Sequence, residues 1–464
     1  MSSVFDKLTL KEIIKNIQEV YLKYPQPWVI GYSGGKDSTT VLQLVWLAIE
    51  KLPKEQRQKK VYVIASDTEV ETPVIVDHLD KTLERINNVA KEKGLPFEAQ
   101  KVMPILEDNF WVNLIGKGYP APTTRFRWCT DRMKIKPANR FIEDKVTQHG
   151  EVIMLLGVRE QESATRAQLM RTYEVKEHVL RRHTSLPGAY VFAPIADWSV
   201  DDVWTFLLQV ESPWGNNNRD LAAMYRDANA GECPLVIDDS TPSCGNSRFG
   251  CWVCTVAEKD SSMEAMIDNG EDWMEPLLEI RTFLKETTDP AKKREYRGIK
   301  GRDGRVFFKN DSELAARTYT LETSAKILED VLTAQKKINE QKPKAEREIL
   351  ITKEVLHEIR RLWRTERQDW DDLVPKIYRK VFGKDLDWKK DDDGSFNSEH
   401  KQILAEKCKE AGLPEEILMK LLEAERQSMG HARRSKIHKR IESILNEEWR
   451  SEEEILQENE TAIA

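Results

Sequence analysis

At 464 residues, with a prior of roughly 150 residues per domain, the chain is long enough for two or three domains and a sizeable core. A formal net charge of −7 and a pI of about 5.8 exclude a global positive field, so any nucleic-acid contact needs a local basic patch or a partner. No window holds the roughly 18 apolar residues of a membrane helix, and the start "MSSVFDKLTLKEIIKNIQEV" is charged and amphipathic rather than a signal peptide, so a cytoplasmic protein is expected.

"WVIGYS" (28–33) reads as a strand, followed by a helix from about Ser38 to Lys51. "VYVIAS" (61–66), a helix from Pro73, "FEAQKV" (97–102) and "VIMLLGV" (152–158) continue the rhythm of βαβ units and predict a parallel sheet. Three polar motifs directly follow strands: the Ser33 loop, "SDTEVET" (66–72) and "GVREQESATR" (157–166). Ligands of such sheets sit at the carboxyl ends of strands, so one cleft is expected to contain all three. "PIADWSVDDVW" (194–204) reads as a helix start capped by Ser199, with Trp198 and Trp204 buried.

From about Trp214 to Val256 the composition shifts to Gly, Asn, Ser, Pro and Cys with little periodicity, a loop-rich insert that needs a staple. Beyond about Asp260 the chain reads helical and highly charged. Pro343, Pro375, Pro414 and the "DDDGS" break at 391–395 predict several short helices rather than one rod. The acidic end "SEEEILQENETAIA" is expected to fray. The fold class is therefore α/β: a parallel-sheet domain over 1–212, a cysteine-rich segment over 213–260 and a charged, mainly helical region over 261–464.

Ser33-Gly34-Gly35-Lys36-Asp37-Ser38 joins a strand to a helix start. Backbone N–H groups converge there, the helix dipole adds partial positive charge, glycine admits a phosphate, and Lys36 supplies a full charge. The spacing is not G-x-x-x-x-G-K-S/T, so an ordinary Walker loop is not supported. The shorter loop resembles the pyrophosphatase loop of the ATP-pyrophosphatase and adenylyl-sulfate reductase superfamily. That resemblance implies an adenine-nucleotide α-hydrolase-like fold and either α–β cleavage of ATP or binding of an adenylyl sulfate. It also implies that Ser33, Lys36 and Ser38 hold the departing pyrophosphate, that Gly34 and Gly35 admit it, and that Asp37 orders the loop or helps hold magnesium.

"GVREQESATR" resembles the G-x-R…S-x-x-R segment of phosphoadenylyl-sulfate reductases, with Arg159 and Arg166 as phosphate ligands; two arginines on a solvated helix are the plain alternative. "PIADWSVDDVW" is similar to those enzymes' P-x-x-D-W…D-V-W segment. Asp67 and Thr68 stand where reductases carry an Asp-Thr pair near the nucleotide, although Glu71-Thr72 follows sooner here, and a plain cap before Pro73 is the alternative.

Six cysteines are too sparse for a disulfide scaffold, yet Cys233, Cys244, Cys251 and Cys254 fall within 22 positions. They supply the four thiolates of a tetrahedral zinc or a [4Fe-4S] cluster. The C-x2-C spacing alone tilts toward zinc, whereas the superfamily resemblance implies [4Fe-4S]. Cys129 stands apart in "TTRFRWCTDRMKIKP", among Arg125, Arg127, Arg132, Lys134 and Lys136. Neighbouring cations favour a thiolate, which suits a persulfide-accepting nucleophile. A cluster ligand replacing one of the four and an inert buried thiol are the alternatives. Cys408, on a charged helix, is incidental.

Taken together, "YSGGKDS", "RFRWCTDRMKIKPANRF", "LLGVREQESATRAQ", "SPWGNNNRDL", "GECPLV", "TPSCGNSRFGCWVCTV" and "SMEAMIDNGEDWMEPLL" resemble the DndC family, the sulfurtransferase component of bacterial DNA phosphorothioation, over about residues 5–290. The resemblance implies replacement of a non-bridging DNA backbone oxygen by sulfur, with a cysteine desulfurase, DndD and DndE as partners. In that scheme residues 33–38 bind ATP, Asp67 and Arg159 position the nucleotide, Cys129 relays sulfur and the four clustered cysteines hold iron. "HARRSKIHKR" (431–440) is either a DNA phosphate contact or a solvated helix face. The rival readings are a phosphoadenylyl-sulfate reductase, which lacks support from any C-terminal Cys-Gly-Leu-His-type tail, a tRNA thiolation enzyme, and a non-catalytic interaction protein that uses nucleotide as a switch.

Overall fold

A computed structural model describes residues 3–162, 174–175, 179–227, 250–310, 313–388, 396–429 and 435–463. Arg166, Cys233, Cys244, "GECPLV", the "DDDGS" break and residues 431–434 of the basic stretch lie outside them. The chain forms two compact units: Met1–Ile105 with Thr124–Glu271, and Leu106–Thr123 with Asp272–Ala464.

The first unit is built on a seven-stranded sheet of β1 (Trp28–Gly31), β2 (Val61–Ser66), β3 (Phe97–Val102), β4 (Val152–Leu155), β5 (Glu174–Val175), β6 (Leu180–Arg182) and β7 (Ala189–Phe192), in the order β3-β2-β1-β4-β7-β6-β5. Neighbours from β3 to β7 run parallel, and β6 and β5 add an antiparallel edge. Its helices are α1 (Leu10–Lys23), α2 (Lys36–Glu50), α3 (Pro73–Lys93), α4 (Lys136–His149), α5 (Val200–Gln209), α6 (Asn218–Asp227) and α7 (Ser261–Asp268).

Alternate strand residues serve opposite faces. Val61, Val63 and Ala65 join the core under α1, α2, α3 and α5, whereas Tyr62 and Ile64 join Ala138 and Ile142 of α4. Burial on both faces explains why these strands read as continuous apolar runs. Ser199 caps α5 in a reciprocal box with Asp202, whose N–H donates to the Ser199 hydroxyl at 3.0 Å; Trp198 is buried and Trp204 half-buried.

The second unit is mainly helical: α8 (Glu275–Glu286), α9 (Leu321–Gln341), α10 (Lys353–Glu366), α11 (Leu373–Phe382), α12 (Ser398–Ala411), α13 (Glu415–Ser428), α14 (Ser435–Leu445) and α15 (Glu452–Ile463), with a small hairpin of β8 (Phe308–Asn310) and β9 (Glu313–Leu314). Pro414 sits at the N-cap of α13 and Pro375 in the first turns of α11, where a missing N–H costs little.

A division by composition into 1–212, 213–260 and 261–464 does not anticipate the segment Leu106–Thr123, which packs with the second unit. Its buried Trp111 indole donates to the Leu350 carbonyl at 2.8 Å, and the Trp363 indole donates to the Ile115 carbonyl at 2.9 Å. The acidic end also differs from the expected fraying. Glu452, Glu453 and Glu454 occupy the first turn of α15, where the helix dipole favours negative charge, and Ile455 is buried. Among the described residues no helix is long and apolar enough to cross a membrane.

Candidate functional site

β1 lies between β2 and β4 with all three parallel, so the loops that follow them leave the same edge of the sheet. The chain adds strands on one side of β1 and then returns to the other, and at such a switch point the loops diverge and leave a crevice. β1 stops at Gly31 and α2 starts at Lys36, because the intervening residues form the turn. Gly34 has φ +73°, a conformation that costs glycine nothing. The Ser33 N–H donates to the Ser38 hydroxyl at 3.2 Å, Ser38 Oγ donates to the Gly35 carbonyl at 3.1 Å, and the two serine hydroxyls are 3.1 Å apart. The serines thus close the loop across the start of α2.

Asp37 is held from two sides. Arg159 Nε donates to Asp37 Oδ1 at 2.8 Å, and Lys36 Nζ lies 2.8 Å from Asp37 Oδ2. All three residues are at most 5% exposed. Burial makes each charge costly alone, so one carboxylate between two cations keeps both at the loop. With both oxygens engaged by cations, Asp37 has the contacts of a residue that orders the loop. Gly157 completes this arrangement and is not singled out by sequence reasoning. A Cβ there would stand 2.7 Å from the Asp37 carbonyl carbon and 2.9 Å from the Ser38 nitrogen, so the loop after β4 passes against bare loop backbone. The available signal was the glycine of the G-x-R motif.

Asp67 ends in a brace after β2. Its Oδ1 accepts the Glu69 N–H at 2.8 Å, and its Oδ2 lies 2.9 Å from Lys101 Nζ of β3, which also pairs with Asp80 at 2.9 Å. Glu69 takes φ +62° in this turn.

The cysteine-rich segment docks on the same turn. Glu71 bridges Cys251 as an antiparallel pair, the Trp252 N–H donates to the Val70 carbonyl at 3.0 Å, and Thr68 Oγ1 lies 3.2 Å from Cys251 Sγ. Cys254 follows in a tight turn, its N–H donating to the Cys251 carbonyl at 3.0 Å. Cys129 lies in the short turn Trp128–Thr130, which passes through a π-helical turn, Asp131–Ile135, into α4; such turns recur at functional sites.

Burial pushes the Cys251 thiol well above its ordinary range, with Glu71 and Cys129 acting in the same direction and Lys134 and Thr68 opposing. Burial likewise raises the Glu71 carboxyl to about 7, helped by Asp67 and opposed by Lys134 and Thr68. Cys129, isolated in the sequence, is therefore an electrostatic neighbour of Cys251. Among the described residues no three Cys, His, Asp or Glu side chains form a metal cage. Of the four cysteines expected to bind a metal, Cys251 and Cys254 are described, and the turn that carries both supplies two sulfur donors two residues apart. Cys408 is buried on α12 in the second unit.

These features define a mostly parallel α/β unit with the Ser33–Ser38 loop at the topological switch point. Residues 27–257, most of them in the first unit, match the family model of the phosphoadenosine phosphosulfate reductase domain, so this stretch is reductase-like.

An uncharacterised protein of Methanocaldococcus jannaschii is 28% identical over 242 residues, covering 52% of this chain and 39% of that protein, so the match spans about two-fifths of the relative's length. Among solved structures, the phosphoadenylyl-sulfate reductase of Candida auris is similar at 15% identity and a TM-score of 0.29, over 47% of this chain and 87% of that one. The U34-tRNA thiolase NcsA of Methanococcus maripaludis, solved with its [4Fe-4S] cluster, is similar at 13% identity and a TM-score of 0.28, over 61% of this chain and 82% of that one.

Proposed function

We propose that the protein is an ATP-dependent sulfurtransferase of the DndC type, acting on the DNA backbone. The observation that carries this reading is the buried Lys36–Asp37–Arg159 set on the loop after β1, in the unit that also brings Cys129 and Cys251 together. A phosphodiester oxygen is a very poor leaving group. In the proposed reaction it attacks the α-phosphorus of ATP and expels pyrophosphate, which Ser33, Lys36 and Ser38 receive while Gly34 and Gly35 leave room, with magnesium on the phosphates.

Sulfur then attacks the activated DNA phosphorus, AMP departs, and a P–S bond replaces a P–O bond. If the sulfur arrives as a Cys129 persulfide supplied by a cysteine desulfurase, a second thiol must break the S–S bond. This releases the phosphorothioate and leaves a disulfide for a cellular dithiol to reduce. Asp67, Arg159 and Arg166 are assigned to nucleotide positioning, and DndD- and DndE-type proteins are the expected partners. Cys233, Cys244, Cys251 and Cys254 would hold a [4Fe-4S] cluster, with Cys129 beside Cys251 as the alternative ligand. Such a cluster supplies electrons or sulfur.

The test is mass spectrometry of digested DNA from cells carrying the complete suspected system. Phosphorothioate dinucleotides in the wild type, and their loss in both Ser38→Ala and Cys129→Ser, are expected; none in the wild type would contradict the reading. The reductase-domain match over 27–257 favours a second reading, reduction of an adenylyl sulfate, which predicts sulfite from phosphoadenylyl sulfate and a thiol reductant.

A further inference from the structure

The second unit contains a cavity of about 390 Å³ that the nucleotide chemistry leaves unused. Its size falls within the roughly 300–1,000 Å³ of ligand sites, but its lining is charged. Six cations face it: Lys117, Lys300, Arg302, Arg367, Lys420 and Arg440. Among the described residues only three carboxylates do, and each pairs with a cation: Glu366 with Arg302 at 2.8 Å, Glu416 with Lys300 at 3.4 Å, and Glu447 with Lys420. Arg367 is spread over neutral acceptors, the Ile115 and Tyr319 carbonyls and the Ser324 hydroxyl. The ammonium groups of Lys300 and Lys420 stand 4.5 and 5.1 Å from the Trp449 ring, which helps fix them without neutralising them.

One wall continues outward. Residues 292–317 hold nine Lys and Arg against four Asp and Glu, in a chain whose net charge is −7. This stretch lends Lys300 and Arg302 to the cavity, turns through Gly304, whose carbonyl accepts the Glu448 N–H at 3.0 Å, and enters the β8–β9 hairpin. Phe307 and Phe308 there remain 45% and 38% exposed, with the Arg317 guanidinium 4.7 Å from the Phe307 ring. Arg440 comes from "HARRSKIHKR", so the described part of that stretch contributes to the same cavity.

We propose that the cavity and hairpin seat the phosphodiester backbone of a nucleic-acid strand, with the cavity cations on phosphates and the two phenylalanines offering ring faces to bases. If the strand is DNA, this extends the reading above to a substrate site on the second unit, and to that extent rests on it.

The test uses the full chain and fluorescence anisotropy with a labelled DNA strand, and an RNA strand of the same sequence, across salt. The paired variant Lys300→Gln/Arg440→Gln should lower the slope of log K against log salt by about 2, near 1 for each cation removed. Glu416→Gln should shift affinity the other way, toward tighter binding, which a merely structural role would not do. Unchanged affinity and slope in both variants on both strands, or no wild-type binding at low salt, would overturn the proposal. Loss on RNA alone would support the strand site and count against DNA as its occupant. Salt-dependent binding of the expected kind without any phosphorothioate product would keep this site while sinking the sulfur-transfer reading.

Discussion

Two regions, the loop after β1 in the first unit and the exposed helix and hairpin surfaces of the second, treat charge in opposite ways. In the first, Lys36, Asp37 and Arg159 are withdrawn from water at a sheet edge and held in one chain of contacts. In the second, many ion pairs lie along exposed helix or hairpin surfaces, such as Lys326 with Asp330 at 2.6 Å and Lys309 with Glu313 at 2.7 Å. Exposed pairs contribute about 0.2–1 kcal/mol, whereas breaking a buried one costs about 3–5 kcal/mol. The lesson is that the same residue types carry chemistry or only solubility according to burial, which a count of charges along the chain does not reveal.

The largest expected effect breaks that contrast at its centre. Asp37→Ala leaves Lys36 and Arg159 without their shared carboxylate and should cost about 3–5 kcal/mol in denaturant unfolding of the first unit. Asp330→Ala in the exposed pair should cost under about 1 kcal/mol, and equal losses would erase the distinction. Next comes Gly157→Ala. Its Cβ would press on the Asp37 backbone and displace the loop after β1, lowering the proposed turnover with ATP by about 100-fold with little change in secondary structure by circular dichroism. Near-normal turnover would show that the close approach is dispensable.

Asp369 sharpens the comparison from the second unit. Burial raises its carboxyl to about 6, with Asp372 and Asp371 adding to the effect and the Leu373 N–H opposing it. The folded state therefore binds this proton more tightly than the unfolded state. The stabilisation is complete below about pH 4 and is lost as pH rises through 6. Asp369→Asn should raise stability at pH 7 by about 1–3 kcal/mol and make no difference near pH 4, as read from melts across pH. A smaller effect is expected of Ser199→Ala, which removes the α5 cap and should cost about 1 kcal/mol while sparing ATP chemistry.

Much of the fold was legible where residue type and hydrogen bonding coincide. β2 occupies the apolar run 61–66, and β3 the partly polar stretch 97–102, from end to end. β1 and β4 are shorter than their runs, because Tyr32, Leu156 and Val158 are buried in the loops beyond the strands. An apolar run reports burial, and pairing is a separate property. The two-residue and three-residue edge strands β5 and β6 are too short for periodicity to reveal.

At the site, the Ser33–Ser38 loop and Arg159 were legible as motifs because they sit beside strands. The meeting of Glu71 with Cys251 joins segments about 180 residues apart, and no local pattern signals it. Lys101, which braces Asp67 from β3, reads only as a polar position on a strand. The migration of Leu106–Thr123 to the second unit depends on where Trp111 and Trp363 find carbonyl partners, a property of tertiary packing.

The central claim is that the loop after β1 receives pyrophosphate. The most direct measurement is the identity of the nucleotide and phosphate products when purified protein, DNA and partner proteins are incubated with ATP labelled at the α and γ phosphates. AMP with pyrophosphate, lost in Ser38→Ala, is the predicted result. ADP with orthophosphate, or α–β cleavage that survives Ser38→Ala unchanged, would contradict the account.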